Sequence, residues 1–136
     1  MAKYVFDIRG AYFKENCLPS LNDLLHEAER HPLAYNRLKK DMEKVVQLSF
    51  RSQLGANKPN TPCRFNMIFG EKKKGIKRDY DNVESAARKI INDALVKLGV
   101  IKDDNPAYLK QGSTKFIYTD SVFIRVEIEE LEDGIE

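Results

Sequence analysis

DYDNVESAARKIINDALVKLG, residues 79–99, is the stretch that decides the architecture. Val83, Ala86, Ala87, Ile90, Ile91, Ala94, Leu95 and Leu98 recur at three- and four-residue spacing, which makes one continuous apolar stripe on a helix. A candidate cap at Asp81 or Asn82 opens the helix, and Gly99 closes it. A stripe this long has to be covered, so the flanking segments are read for strands that could do so.

Upstream lies Cys63–Phe69, with Phe65, Met67 and Phe69 on one face of a strand. Two prolines and two asparagines mark Ala56–Pro62 before it as a loop. Further back, Leu38, Met42, Val45, Val46 and Ser49 give Leu33–Leu54 the pattern of an amphipathic helix stopped by Gly55. Ser20 followed by Asp23 reads as the start of a shorter helix over Leu21–Arg30, and Pro32 breaks that helix or begins the next. Tyr4, Phe6 and Ile8 alternate as a first strand ended by Gly10.

Downstream, Val100-Ile101 is a short apolar step, and Lys102-Asp103-Asp104-Asn105-Pro106 is turn chemistry. The chain is then expected to finish as a hairpin, with strands Phe116–Tyr118 and Val122–Glu130 joined near Thr119-Asp120-Ser121. In the second strand Val122, Ile124, Val126 and Ile128 alternate against Phe123, Arg125, Glu127 and Glu129. These elements predict an α+β fold, a small mixed sheet of about four strands covered on one side by two to three helices.

The 136 residues suit a single domain, residues 1–136, and the 42% hydrophobic and 32% charged composition is that of a folded protein with a well-solvated surface. A net charge of +2, from 23 basic and 21 acidic side chains, does not by itself identify a polyanionic partner. The charges are sorted along the chain, however. Lys72, Lys73, Lys74, Lys77 and Arg78 cluster, and acids dominate from Glu127 onward, with disorder expected only at the ends, the tail 131–136 included. No apolar run approaches the length of a membrane span and residues 1–10 do not resemble a signal core, so a cytoplasmic protein is expected. Cys17 and Cys63 read as free thiols, and His26 and His31 as surface or cap residues.

Chemistry concentrates at the two ends of the striped helix. In an extended segment, residues two apart project to the same side, so Asp79 and Asp81 can aim both carboxylates at one cation while Tyr80 points elsewhere. Mg²⁺ is commonly held by one or two carboxylates together with water and substrate phosphate, and such an ion activates water for phosphodiester hydrolysis. The basic run just upstream, itself readable as a mobile solvated loop, would offset the repulsion between carboxylates and DNA. The same aspartates also read as helix caps and dipole partners, and Asp103-Asp104-Asn105-Pro106 as ordinary turn material. Tyr80 reads as a packing residue before it reads as a base-stacking one.

The order Arg78-Asp79-Tyr80-Asp81-Asn82, then Asp93-Ala94-Leu95-Val96-Lys97-Leu98-Gly99, then Asp103-Asp104 resembles the core signature of the RusA family of Holliday-junction resolvases. Pro19-Ser20-Leu21-Asn22 is similar to that family's Pro-Ser-Asn segment, and the last strands fall where the family has its own. The resemblance covers most of the chain, with its specific part in the central third. It implies that Asp79, Asp81 and Asp104 are metal-binding catalytic carboxylates and that Asp103 is an adjacent, assisting acid. It also implies Mg²⁺, with Mn²⁺ as substitute, a homodimer, and paired nicking of four-way DNA junctions in recombination and repair, an activity frequent in phages and prophages.

One departure stands out. The family places a catalytic lysine one helical turn after the second aspartate, where this chain has Ser85. Counting back from Asp93 makes Lys89 the counterpart, one turn further along the same face, from where its long stem would lean toward Asp79 and Asp81; Arg88 is a weaker substitute. An exposed lysine on the polar face reads equally well. Three functions follow in order: a metal-dependent nuclease on branched DNA, with Lys72, Lys73, Lys74, Lys77 and Arg78 holding phosphates; a catalytically weakened junction-binding protein on the same scaffold; and a protein-interaction module suggested by the acidic tail.

Overall fold

A computed structural model describes residues 3–132, so most of the acidic tail lies outside the described residues. The elements in chain order are β1 (Lys3–Arg9), α1 (Leu21–Arg30), α2 (Pro32–Leu54), β2 (Cys63–Lys72), α3 (Tyr80–Leu98), β3 (Leu109–Lys110), β4 (Thr114–Thr119) and β5 (Phe123–Glu130). The expected α+β class is what forms, a mixed sheet with three helices. Among the described residues, none of these helices is long and apolar enough to cross a membrane.

Helix starts follow local chemistry. At α1 the Ser20 hydroxyl accepts from the Asp23 backbone N–H at 3.2 Å, and the Asp23 carboxylate accepts from the Ser20 N–H at 2.9 Å, a closed capping box. His31 caps α2 through Nδ1, which accepts from the Leu33 N–H at 3.1 Å, and Pro32 follows with its φ already suited to a first turn. At α3 the expectation needs correcting. The N-cap is Asp79, extended at φ −68° and ψ 128°, not Asp81 or Asn82. Asp81 therefore stands in the first turn, where a carboxylate favours the positive end of the helix dipole. Gly99, at φ 83°, closes α3 in a left-handed conformation that a side chain would resist.

The sheet runs β1-β5-β2, with β3 and then β4 alongside the far edge of β2. β1 is antiparallel to β5, Phe6 facing Val126, and β5 is antiparallel to β2, Ile128 facing Phe65. β4 is parallel to β2, Phe116 facing Phe69. The expected terminal hairpin is thus not formed: β4 and β5 lie on opposite sides of β2, and 120–122 carries the chain across the end of that strand. The cause is α3. A helix joining two neighbouring strands returns the chain parallel to the first, and β4 takes one edge of β2, so β5 is left to fill the other edge beside β1. Alternation in a sequence reports which face of a strand is buried, not which strand lies beside it.

One face of the sheet is apolar. Phe6 and Ile8, Phe65, Met67 and Phe69, and Ile124, Val126 and Ile128 are buried with the α3 stripe and with Val46 and Phe50 of α2. The Phe6 and Phe50 rings meet edge to face at 5.3 Å. The other face is polar, with Arg125 on the Asp7 carboxylate at 2.8 Å and Asn66 donating to Glu129 at 3.1 Å. Along the outer edge of β1, Gln53 grips the backbone of Asp7 on both sides, accepting from its N–H at 2.7 Å and donating to its carbonyl at 2.6 Å. That grip covers part of an edge which would otherwise invite another strand.

Between β3 and β4 the chain passes so close to β2 that a Cβ on Gly112 would stand 1.9 Å from the carbonyl oxygen of Phe65. Because the obstruction is backbone, it cannot rotate away. Gly112→Ala is expected to lower the unfolding free energy by about 1–3 kcal/mol, read from urea denaturation; an unchanged midpoint would show that the segment can shift off β2.

Candidate functional site

β2 runs past Phe69 to Lys72, further than its apolar alternation suggested, and so part of the expected basic loop belongs to the sheet. Glu71 of this extension is buried. Arg78 grips it in a forked pair, Nε to Oε1 at 2.8 Å and Nη2 to Oε2 at 2.7 Å, and donates through Nη1 to the Leu18 carbonyl at 2.9 Å. Arg78 was expected to hold phosphate. Its guanidinium is instead committed to the fold, fastening the start of α3 to the end of β2 and to the segment before α1. The pattern of Phe65, Met67 and Phe69 continues to Glu71 on the inner face, a signal that the neighbouring lysines obscured.

Tyr80 packs. Its ring stacks on Phe116 at 4.3 Å, Phe116 stacks on Phe69 at 4.9 Å, and the Tyr118 hydroxyl donates to the Tyr80 oxygen at 3.2 Å. Asp79 and Asp81 stand exposed on either side of this anchored ring. Asn82 reaches the Asp79 carboxylate at 3.5 Å. Because Asp79 is the cap and Asp81 is already helical, the pair does not share one extended segment, and residues two apart on a helix do not face each other.

Asp104 is folded back along α3. Its carboxylate lies 3.9 Å from the Lys89 ammonium, which is also 3.3 Å from Asp93. It lines a shallow cavity of about 320 Å³ together with Glu84, Arg88 and Asn92, and the Asn92 Oδ1 is buried without a hydrogen-bond partner. Neither Glu84 nor Asn92 was singled out from the sequence, where nothing distinguishes them from other polar positions on the helix. Asp103 builds the turn, accepting from the Asp104 N–H at 2.7 Å and from Asn105 at 3.0 Å.

Lys89 was expected to lean toward Asp79 and Asp81, but it turns to Asp93 and Asp104. It lies eight residues after Asp81, a rise of about 12 Å along the helix, and acids closer at hand capture it. Asp93 in turn receives Lys39 at 2.6 Å, and the buried Glu43 receives Lys97 at 2.6 Å and Lys39 at 3.6 Å. Alternating charges therefore run along the α2–α3 seam to Asp104. Arg88 serves the sheet, donating to Phe65 and Ser113 carbonyls at 3.0 and 2.7 Å and pairing with Glu84 at 2.9 Å. Ser85 is exposed.

Among the described residues, no group of three or more His, Cys, Asp or Glu side chains is placed to hold a metal ion. Asp79, Asp81 and Asp104 accordingly do not form the three-carboxylate cage expected of them. Cys17 and Cys63 are free and buried, and burial pushes the Cys17 thiol up to about 12 and the Cys63 thiol up to about 11.

The lysines divide. Lys72 pairs with Glu15 at 2.7 Å, and Lys77 lies 5.0 Å over the Tyr118 ring while its ammonium donates to the Lys73 carbonyl. The Lys73 backbone donates to the Thr119 carbonyl at 3.0 Å, and the side chains of Lys73 and Lys74 are exposed to solvent. No family model and no curated protein matches this chain.

Burial raises the Asp93 carboxyl, but the Lys39 hydrogen bond and charge, with Lys89 behind them, outweigh it and hold the group below its ordinary 3.8. A depressed folded value stabilises the protein above the unfolded value, and that share is lost as the pH falls through the folded one. Asp93→Asn should therefore flatten the loss of unfolding free energy below pH 3.8, in urea titrations across a pH series; an identical acid profile would count against this network. Arg78→Ala, which strands a buried carboxylate, should cost about 3–5 kcal/mol, whereas Lys73→Ala should stay within about 0.5 kcal/mol. Equal thermal stability of the two variants would return Arg78 to the group of surface cations.

Proposed function

We propose that the chain is a RusA-like endonuclease that cuts branched DNA, four-way junctions foremost, as a homodimer with Mg²⁺ or Mn²⁺. The observation that supports this reading is the position of Asp79 and Asp81. Both are exposed at the start of α3, directly after exposed lysines, and the fold returns Asp104 from beyond the far end of that helix to its middle. Lysines beside the acids let a polyanion approach a patch that would otherwise repel it. Mg²⁺ commonly takes substrate phosphate and water beside one or two carboxylates, and Asp79 and Asp81 are the carboxylates this reading assigns to it. The protein's own contribution in this reading is to bind the backbone through lysines, to present two carboxylates beside it, and to hold Asp104 in place through Lys89. Two opposed nicks call for two symmetric sites, hence the dimer.

A second reading, a junction-binding protein that does not cut, is favoured by one specific observation: Lys89 is occupied by Asp93 and Asp104 and does not attend Asp79 and Asp81. The two separate in one assay. A synthetic four-way junction incubated with the protein and Mg²⁺ should be nicked in pairs, and Asp81→Asn should reduce nicking to background while leaving junction affinity in place. Undiminished cleavage by clean Asp81→Asn protein would defeat the first reading; tight junction binding by the unaltered chain, with no nicking under any divalent metal, would select the second.

A further inference from the structure

A cationic feature that takes in Lys72, Lys73 and Lys74 lies at the end of the sheet where β1 and β2 finish and the chain crosses from β4 to β5. Three segments distant in sequence, 9–15, 72–75 and 119–122, line a cleft of about 990 Å³. Backbone hydrogen bonds hold them together, Gly10 N–H to Val122 O at 3.1 Å and Lys73 N–H to Thr119 O at 3.0 Å. Reciprocal bonds between Phe13 and Asn16, at 3.1 and 2.9 Å, close a tight turn whose tip is Lys14 and Glu15. Lys14 there takes a left-handed φ of 55°, uncommon for a residue with a side chain.

The cleft is strongly cationic. Arg9, Lys14, Lys72, Lys73 and Lys74 line it against only Glu15 and Asp120. Arg9 is partly engaged, 2.9 Å from Asp7 and 5.1 Å over the Phe123 ring, and Lys14 lies 5.3 Å over the Phe13 ring, while the Lys73 and Lys74 side chains stand exposed. Among the described residues, none of the exposed large apolar side chains lines it, whereas a protein-docking groove would carry such groups at its centre. Lysines are flexible point charges without the forked geometry that reads a particular group, so they suit successive phosphates irrespective of base sequence. The volume exceeds what a single phosphate fills. Lys72 is held across the cleft by the Glu15 carboxylate at 2.7 Å, and Glu15 is 78% exposed, an ion pair that an incoming anion can displace at little cost.

We propose that this cleft seats the phosphate backbone of nucleic acid, with Glu15 occupying on Lys72 the place that a backbone phosphate takes on binding. The inference rests on the reading of the chain as a nucleic-acid protein, and it adds Lys14 as a contact and Glu15 as a built-in competitor, both in a segment far from the aspartates in sequence. The cleft would hold an arm of the substrate while Asp79 and Asp81 address another part of it.

The test is fluorescence anisotropy of a dye-labelled four-way junction with the full chain over a salt series, each variant being checked by circular dichroism for unchanged melting. Lys14→Ala combined with Lys73→Ala should weaken binding at least tenfold and lower the slope of log affinity against log salt by about two. Glu15→Gln should move affinity the opposite way, tightening it by about two- to fivefold. Binding by the unaltered chain that the double variant leaves intact would overturn the cleft while leaving the nuclease reading to its own assay. Weaker binding by Glu15→Gln would overturn the displacement, and a chain with no salt-sensitive junction affinity would remove both readings together.

Discussion

A forked, buried ion pair between Arg78 and Glu71 holds together the part of the molecule on which its candidate chemistry depends. A carboxylate on the inner face of a strand is expensive unless a cation meets it with good geometry. Arg78 does so, and by also donating to the Leu18 carbonyl it binds three separate segments at one point. The start of α3, and with it Asp79, Tyr80 and Asp81, is placed by that contact. The aromatic series Phe69–Phe116–Tyr80 then secures the helix start from the other side.

From this fastened end, α3 acts as a ruler. It sets Asp81 in its first turn and carries Lys89, Asn92 and Asp93 at increasing distance along the sheet, and the turn after Gly99 folds Asp104 back against the middle of the helix. The cations nearby settle on the nearest acids. Lys89 goes to Asp93 and Asp104, Lys39 bridges Asp93 and Glu43, and Lys97 satisfies Glu43. Electrostatics at short range thus decides a matter that residue spacing leaves open, namely which lysine attends which carboxylate.

The central strand imposes a comparable division of labour. β2 is paired on both edges, parallel on one side and antiparallel on the other, so the chain must cross its end to pass from β4 to β5. That crossing, the end of β1 and the turn bearing Lys14 and Glu15 converge on one cleft. Lys72, Lys73 and Lys74 come from one basic run, and the topology of the sheet adds Arg9 and Lys14 to them.

Read along the chain, apolar periodicity was sufficient for α2 and α3, for the buried faces of β1, β2 and β5 and for the α+β class, and the Ser20–Asp23 spacing for the start of α1, because those follow from interactions between residues a few positions apart. The candidate aspartates were visible as residue types in order. What only the tertiary structure decided was pairing: that β4 lies parallel to β2 rather than in a hairpin with β5, that Arg78 serves Glu71, that Lys89 serves Asp93 and Asp104, and that Lys14 faces the lysines after β2. Strand partners and ion partners are chosen by proximity in space among several chemically equivalent candidates, and one-dimensional spacing carries no information about which of them comes near.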